Sequence, residues 1–212
     1  MLRDILHPSY INRKQKTNTM KKTMHYVLIL DQSGSMERIK KAVISSFNRQ
    51  VEMIRLLQKE HPGQQLRITL CCFNDSIDFR FTGVPVNHLK MLTAKEYQPN
   101  FSTALYDAIG ASFSRIQGQI QPGEKAFFAI FTDGMENASR EYSGQDIEKW
   151  IAKAKKQQWE IKFFCRQEEE RFYQEQFNLD KNMLMTITMN EEGFCEMAQE
   201  VKSSLSRILR EE

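Results

Sequence analysis

The chain has 212 residues and carries 30 Lys+Arg against 27 Asp+Glu, a formal net charge of +3. Its hydrophobic share of 41% is that of an ordinary globular protein, which excludes intrinsic disorder, collagen-like repeats and a disulfide scaffold. The basic balance sits at one end: Arg3, Arg13, Lys14, Lys16, Lys21 and Lys22 against Asp4 make residues 1–23 net positive by five, so the remainder is net negative by two. Nucleic-acid binding by the body therefore lacks the clustered Lys/Arg that phosphate contacts need.

Residues 1–23 show no sustained periodicity and read as a disordered basic leader, with one domain over residues 24–212. His25–Leu30 is a short apolar run suited to a buried parallel strand. Ile39, Val43, Phe47, Val51 and Ile54 then recur every three or four residues, one face of a helix that His61-Pro62-Gly63 stops. Leu66–Phe73 and Ile77–Phe81 are strands whose three-residue link permits only an antiparallel hairpin. Leu105, Ile109, Phe113 and Ile116 mark the next helix, and Ala126–Phe131 the next strand. Ser143 with Asp146 has the spacing of a capping box opening a third helix. A strand at Trp159–Cys165, a charged surface helix at Glu168–Phe177, a strand at Leu184–Met189 and a helix through Phe194, Val201 and Ile208 complete the chain. This alternation predicts an α/β fold: a Rossmann-like three-layer domain with a mostly parallel sheet, one antiparallel edge strand, and helices on both faces. Ligands in such folds bind beyond the carboxyl ends of the strands.

Those ends carry a distinctive set of side chains. Strand one runs into Asp31-Gln32-Ser33-Gly34-Ser35, strand four into Thr132-Asp133-Gly134, and the helix between them opens near Ser102-Thr103. Asp31, Ser33, Ser35, Thr103 and Asp133 all offer oxygen and none offers nitrogen or sulfur. Hard oxygen donors select Mg²⁺, Mn²⁺ or Ca²⁺ over zinc or copper. Each piece alone has a plainer reading: Ser35, Ser102 or Thr103 could cap a helix, and Asp133-Gly134 could be a turn. Their joint occurrence after two strands and at one helix start favours a metal site.

These residues resemble the von Willebrand factor type A (vWA) domain and its metal-ion-dependent adhesion site, with Asp31, Ser33 and Ser35 as the D-x-S-x-S motif and Thr103 and Asp133 as its remote members. The resemblance spans residues 24–205, and the segments Asp31–Met36, Ser102–Ile109 and Phe131–Asn137 most resemble small stand-alone bacterial members. Phe101 departs from the pattern, where many members have Gly. The resemblance implies a divalent ion, Mg²⁺ with Mn²⁺ or Ca²⁺ as alternatives, that bridges to an Asp or Glu of a protein partner; it implies no enzyme activity.

The main alternative is a Mg²⁺-dependent phosphatase of the haloacid-dehalogenase type, which also begins from an Asp after strand one. That chemistry needs a second Asp two residues on as general acid, and Ser33 stands there. A serine hydrolase lacks its G-x-S-x-G elbow, and a nucleotide site its glycine-rich or GKS/T loop. Arg166 and the Glu168–Arg171 charges read most simply as a solvated helix surface, with the border of a partner site as the alternative, and Trp150 and Trp159 as packing residues. Cys71, Cys72, Cys165 and Cys195 form no C-x-x-C pair and read as buried free thiols. With neither a signal-peptide core nor an apolar stretch long enough for a membrane span, the expected location is the cytoplasm.

Overall fold

The computed structural model describes residues 22–210. Six strands form one sheet in the order β3-β2-β1-β4-β5-β6. They are β1 (Lys22–Asp31), β2 (Gln64–Phe73), β3 (Ile77–Pro85), β4 (Lys125–Phe131), β5 (Glu160–Cys165) and β6 (Leu184–Thr186). Every pairing is parallel except β2 with β3, which is the antiparallel edge hairpin. The helices are α1 (Lys40–Glu60), α2 (Leu105–Gln117), α3 (Gly144–Lys156), α4 (Glu170–Gln176) and α5 (Glu191–Arg210). None of the described helices is long and apolar enough to cross a membrane.

The continuous apolar strands are buried on both faces. In β1, Tyr26, Leu28 and Leu30 join one core with Val43, Phe47 and Val51 of α1 and Val201 and Leu205 of α5. Val27 and Ile29 point the other way, into a second core with Ile109 and Phe113 of α2 and Ile147 and Ile151 of α3. Aromatic rings fill this second layer: Phe128 stacks on Phe113 with centroids 4.0 Å apart and on Trp159 at 5.8 Å. Trp150 stacks outside Phe113, so both tryptophans are packing residues, as the sequence predicts.

The chain departs from the sequence reading at several element ends, and β3 runs on to Pro85, four residues past the expected Phe81. β1 starts at Lys22, because Lys22 and Thr23 pair in register with Gln64 and Gln65 of β2. The expected leader therefore loses its last two residues to the sheet; residues 1–21 lie outside the described region. β6 ends at Thr186 rather than Met189, since β5 offers it only Phe163–Cys165 before the chain turns into α5. The charged segment after β5 opens with a 3-10 turn at Gln167–Glu169, and α4 begins only at Glu170.

The strand order places the candidate site. From β1 the chain builds outward through β2 and β3, then crosses back to add β4 on the other side of β1. The switch point therefore lies between the carboxyl ends of β1 and β4, the crevice where such sheets take ligands. Asp31 ends β1, and Asp133 lies two residues beyond β4.

Candidate metal centre

The loop after β1 is fixed from three sides. Gln32 N–H donates to Phe73 O of β2 at 2.6 Å, Asn100 N–H to Gln32 O at 3.0 Å, and Gly34 N–H to Phe101 O at 3.0 Å. Phe101 reaches this position with a φ of +61°, a left-handed conformation that a bulky residue rarely adopts. A 3-10 segment at Gly34–Ile39 follows, and the side chain of its N-cap residue Ser33 makes no capping bond. Helix α2 likewise starts after Ala104 without a side-chain cap. The hydroxyls of Ser33, Ser35 and Thr103 are not spent on capping at either helix start.

They face the crevice instead. Ser33 Oγ lies 3.1 Å from Ser35 Oγ, and the Ser35 hydroxyl donates to Asp133 Oδ1. Thr103 joins from the opposite loop: its N–H donates to Asn137 Oδ1 at 2.8 Å, and its carbonyl accepts the Asn137 and Ala138 N–H groups. Gly134 lies at this meeting point: a Cβ there would sit 3.7 Å from Thr103 Oγ1 and 3.8 Å from Ser35 Oγ. All five side chains singled out in the sequence thus come to one rim.

Asp31 is the most constrained of them. It is fully buried, its Oδ1 accepts the Ser33 N–H at 2.7 Å, and its Oδ2 accepts the Thr132 hydroxyl at 2.6 Å. Burial pushes its carboxyl up to about 6, against the lowering pull of those hydrogen bonds; the neighbouring Asp133 charge raises it further. Among the described residues no cationic side chain pairs with it. Burial also raises Asp133, opposed by Ser35 and Arg38. Two raised carboxyls beside three hydroxyls suit a hard divalent cation, which would supply the positive charge that Asp31 lacks. Among the described residues no three or more His, Cys, Asp or Glu are grouped so that they could hold a metal ion, so this rim relies on hydroxyls for the rest of its donors.

Several residues that hold the rim are not among the site residues read from the sequence. The Thr132 hydroxyl contacts Asp31 Oδ2 and also Gly134 O at 2.9 Å, and the buried Tyr97 hydroxyl donates to the Asp31 carbonyl. Asp107 in the first turn of α2 accepts the backbone N–H groups of Arg140, Glu141 and Tyr142 at 2.8–2.9 Å. Glu136 accepts from Ala138 N, Ser139 N and Tyr106 N. The Tyr142 ring lies against Gly110, where a Cβ would collide with it. The loop beyond Asp133 is thereby moored to α2.

Arg166 and Glu169 require a correction. The sequence places them on a solvated surface, but Arg166 Nη2 donates to Asp133 Oδ2 at 2.9 Å, with Arg38 Nη2 at 3.3 Å from the same oxygen. Glu169 is buried, and its Oε2 accepts the Arg166 N–H. Only the outer part of the segment, with the exposed Arg171–Glu175 pair, behaves as expected.

This architecture is the vWA fold. No family model matches the sequence, and no curated protein does. Solved structures share its fold. The vWF domain of the type V pili tip protein Mfa5 from Porphyromonas gingivalis superimposes with a TM-score of 0.61 at 12% identity, covering 87% of this chain and 96% of that one. The PilB minor pilin from Streptococcus sanguinis gives 0.61 at 12% identity over 90% of this chain and 63% of the pilin. Proximal thread matrix protein 1 from the mussel byssus, in a structure with a zinc-occupied MIDAS motif, gives 0.57 at 13% identity over 86% and 48%. The chain thus spans less than two thirds of the pilin and about half of the byssus protein. At these identities the likeness establishes the fold alone.

Proposed function

We propose that the protein is a divalent-metal-dependent protein-interaction module rather than an enzyme. In this reading Asp31, Ser33, Ser35, Thr103 and Asp133 hold Mg²⁺, with Mn²⁺ or Ca²⁺ as alternatives, and a partner protein contributes an Asp or Glu. The observation that carries it is the pairing of a fully buried Asp31, held only by neutral donors, with three hydroxyls and Asp133 at the sheet's switch point. When bound, the ion would offer an incoming carboxylate a charge-assisted bond.

The chain's own residues perform the rest. Thr132 and the Ser33 N–H orient Asp31, and Asp107 and Glu136 hold the loop beside Asp133. Phe101 and Met135 are 69% and 50% exposed, apolar groups beside the rim that a partner would cover. A phosphatase would need a general acid where Ser33 stands, and Ser33 Oγ is instead hydrogen-bonded to Ser35. Three buried, unpaired thiols, Cys71, Cys72 and Cys165, support a reducing compartment, and the proposed location is the cytoplasm.

The test is capture of a native partner on immobilised protein in Mg²⁺ and in EDTA, with Asp31→Ala and Thr103→Ala alongside. Capture should require the ion and fail with both variants, while their circular dichroism matches the wild type. A partner retained equally in EDTA would overturn the proposal.

A further inference from the structure

The two guanidiniums beside Asp133 do more than neutralise it. Both reach the same oxygen, Oδ2, leaving Oδ1 to the hydroxyl cluster. An arginine presents five N–H donors, and Asp133 engages one terminal nitrogen of each. Arg166 Nε is buried without a partner, and the Arg38 side chain is more than half exposed. Both arginines line an open cavity of about 570 Å³ on the β5–β6 side of the rim. Its remaining wall includes the aliphatic side chains of Ile39, Ile187 and Met189, and one acid, Glu168.

Charge and shape together define what this cavity takes. If the ion at the rim compensates Asp31 and Asp133, the two arginines are left with Glu168 as the opposing charge on the cavity wall. Glu37, exposed beside Arg38, lies within 3.8 Å of Lys40 Nζ, and Glu169 is buried against the Arg166 backbone. One positive charge in excess suits one carboxylate, and guanidiniums bind carboxylates by paired, charge-assisted hydrogen bonds. The apolar wall suits an aliphatic stem, which glutamate has and aspartate largely lacks. We infer that the partner segment is doubly acidic, with one carboxylate for the metal rim and a nearby glutamate that enters the cavity between Arg38 and Arg166. This rests on the metal-dependent reading above, and it adds the partner's second anchor.

The experiment uses labelled synthetic peptides in a Gly/Ser background, read by fluorescence anisotropy in Mg²⁺ and in EDTA. One peptide carries a single Asp; a series adds Glu at one to four residues from it; a parallel series carries phosphoserine instead. One Asp–Glu spacing should bind wild type roughly tenfold or more tighter than the single-Asp peptide, as a charged hydrogen-bonded contact provides. Arg38→Gln combined with Arg166→Gln should erase that gain. The same variant should bind Mg²⁺ itself more tightly by calorimetry, because two cations that compete for Asp133 are gone. Restored preference for an Asp–Arg peptide in Arg38→Glu would support the assignment by charge exchange. Mg²⁺-dependent binding of the single-Asp peptide with no gain from a second acid would overturn the inference and leave the metal reading standing. A gain only with phosphoserine would overturn it in favour of a phosphate reader. Failure of every peptide in Mg²⁺ would overturn it too, and calorimetric Mg²⁺ titration of the protein alone would then show whether the metal reading falls with it.

Discussion

The two ends of the sheet handle buried polarity in opposite ways. At the amino end, His25 meets Glu124 at 3.0 Å, Arg67 donates to Gly83 O, and Thr69 accepts the Gly83 N–H. The charged groups there meet partners within the fold, although His25 Nδ1 is buried without one. At the carboxyl end, Asp31 is buried with neutral donors only, while two arginines crowd one oxygen of Asp133. Holding an unpaired carboxylate in low dielectric costs free energy unless a positive charge arrives from outside. The amino end pairs its acid with a histidine from within the fold, whereas the carboxyl end leaves its buried Asp31 without a cationic partner among the described residues.

The largest effects should come from the layer between these ends. Phe128 is fully buried between Phe113 and Trp159, so Phe128→Ala should cost about 3–5 kcal/mol in urea unfolding. That loss should be the same in Mg²⁺ and in EDTA, since Phe128 lies in the middle of β4, away from the rim at the strand's carboxyl end. A loss confined to one condition would join the two regions that the comparison separates.

Next comes the scaffold of the rim. Asp107→Ala removes the acceptor for three backbone N–H groups, and should cost about 2–3 kcal/mol. Hydrogen exchange should then accelerate at Arg140, Glu141 and Tyr142 while β1 and β4 stay protected. Unchanged exchange at those amides would show that the loop is held by other means.

Such anchors explain what the sequence could and could not reveal. The strands were legible because two buried faces demand continuous apolar runs, as in Val27–Leu30 and Phe127–Phe131. The capping box of Ser143 and Asp146 was legible because both its partners are local, and both its bonds are present. The five rim oxygens could be read because each follows a strand or precedes a helix. Asp107 could not, since its partners lie more than thirty residues away and an acid in a first helical turn looks ordinary. Thr132 hid as one more β-branched residue at a strand end. Arg166 looked like a surface charge because nothing local distinguishes a guanidinium that turns inward to Asp133.

A smaller effect tests the buried acid beneath Arg166. Burial chiefly, with the Asp133, Glu168 and Asp31 charges, pushes the Glu169 carboxyl up from 4.5 to about 7. Between those values the folded protein keeps a proton that the unfolded chain releases, so stability falls as pH rises through that interval. Glu169→Gln keeps an acceptor for the Arg166 N–H and removes the titration. Its melting temperature should match wild type at pH 4 and exceed it by about 2–4 °C at pH 8. Parallel curves at all pH values would place the carboxyl's titration elsewhere.

The central claim is that the rim takes a divalent cation which the fold does not need. Asp31→Asn tests it most directly, because the amide can keep the Ser33 N–H on its oxygen while Thr132 turns its hydroxyl to Gly134 O. The measurement is thermal melting by circular dichroism in EDTA and across a Mg²⁺ titration, for wild type and Asp31→Asn. Wild type should melt cooperatively in EDTA and gain stability with Mg²⁺ as mass action dictates. Asp31→Asn should melt no lower than wild type in EDTA and show no response to Mg²⁺. A Mg²⁺ shift that survives Asp31→Asn, or a wild type that loses its helix content in EDTA, would contradict the account.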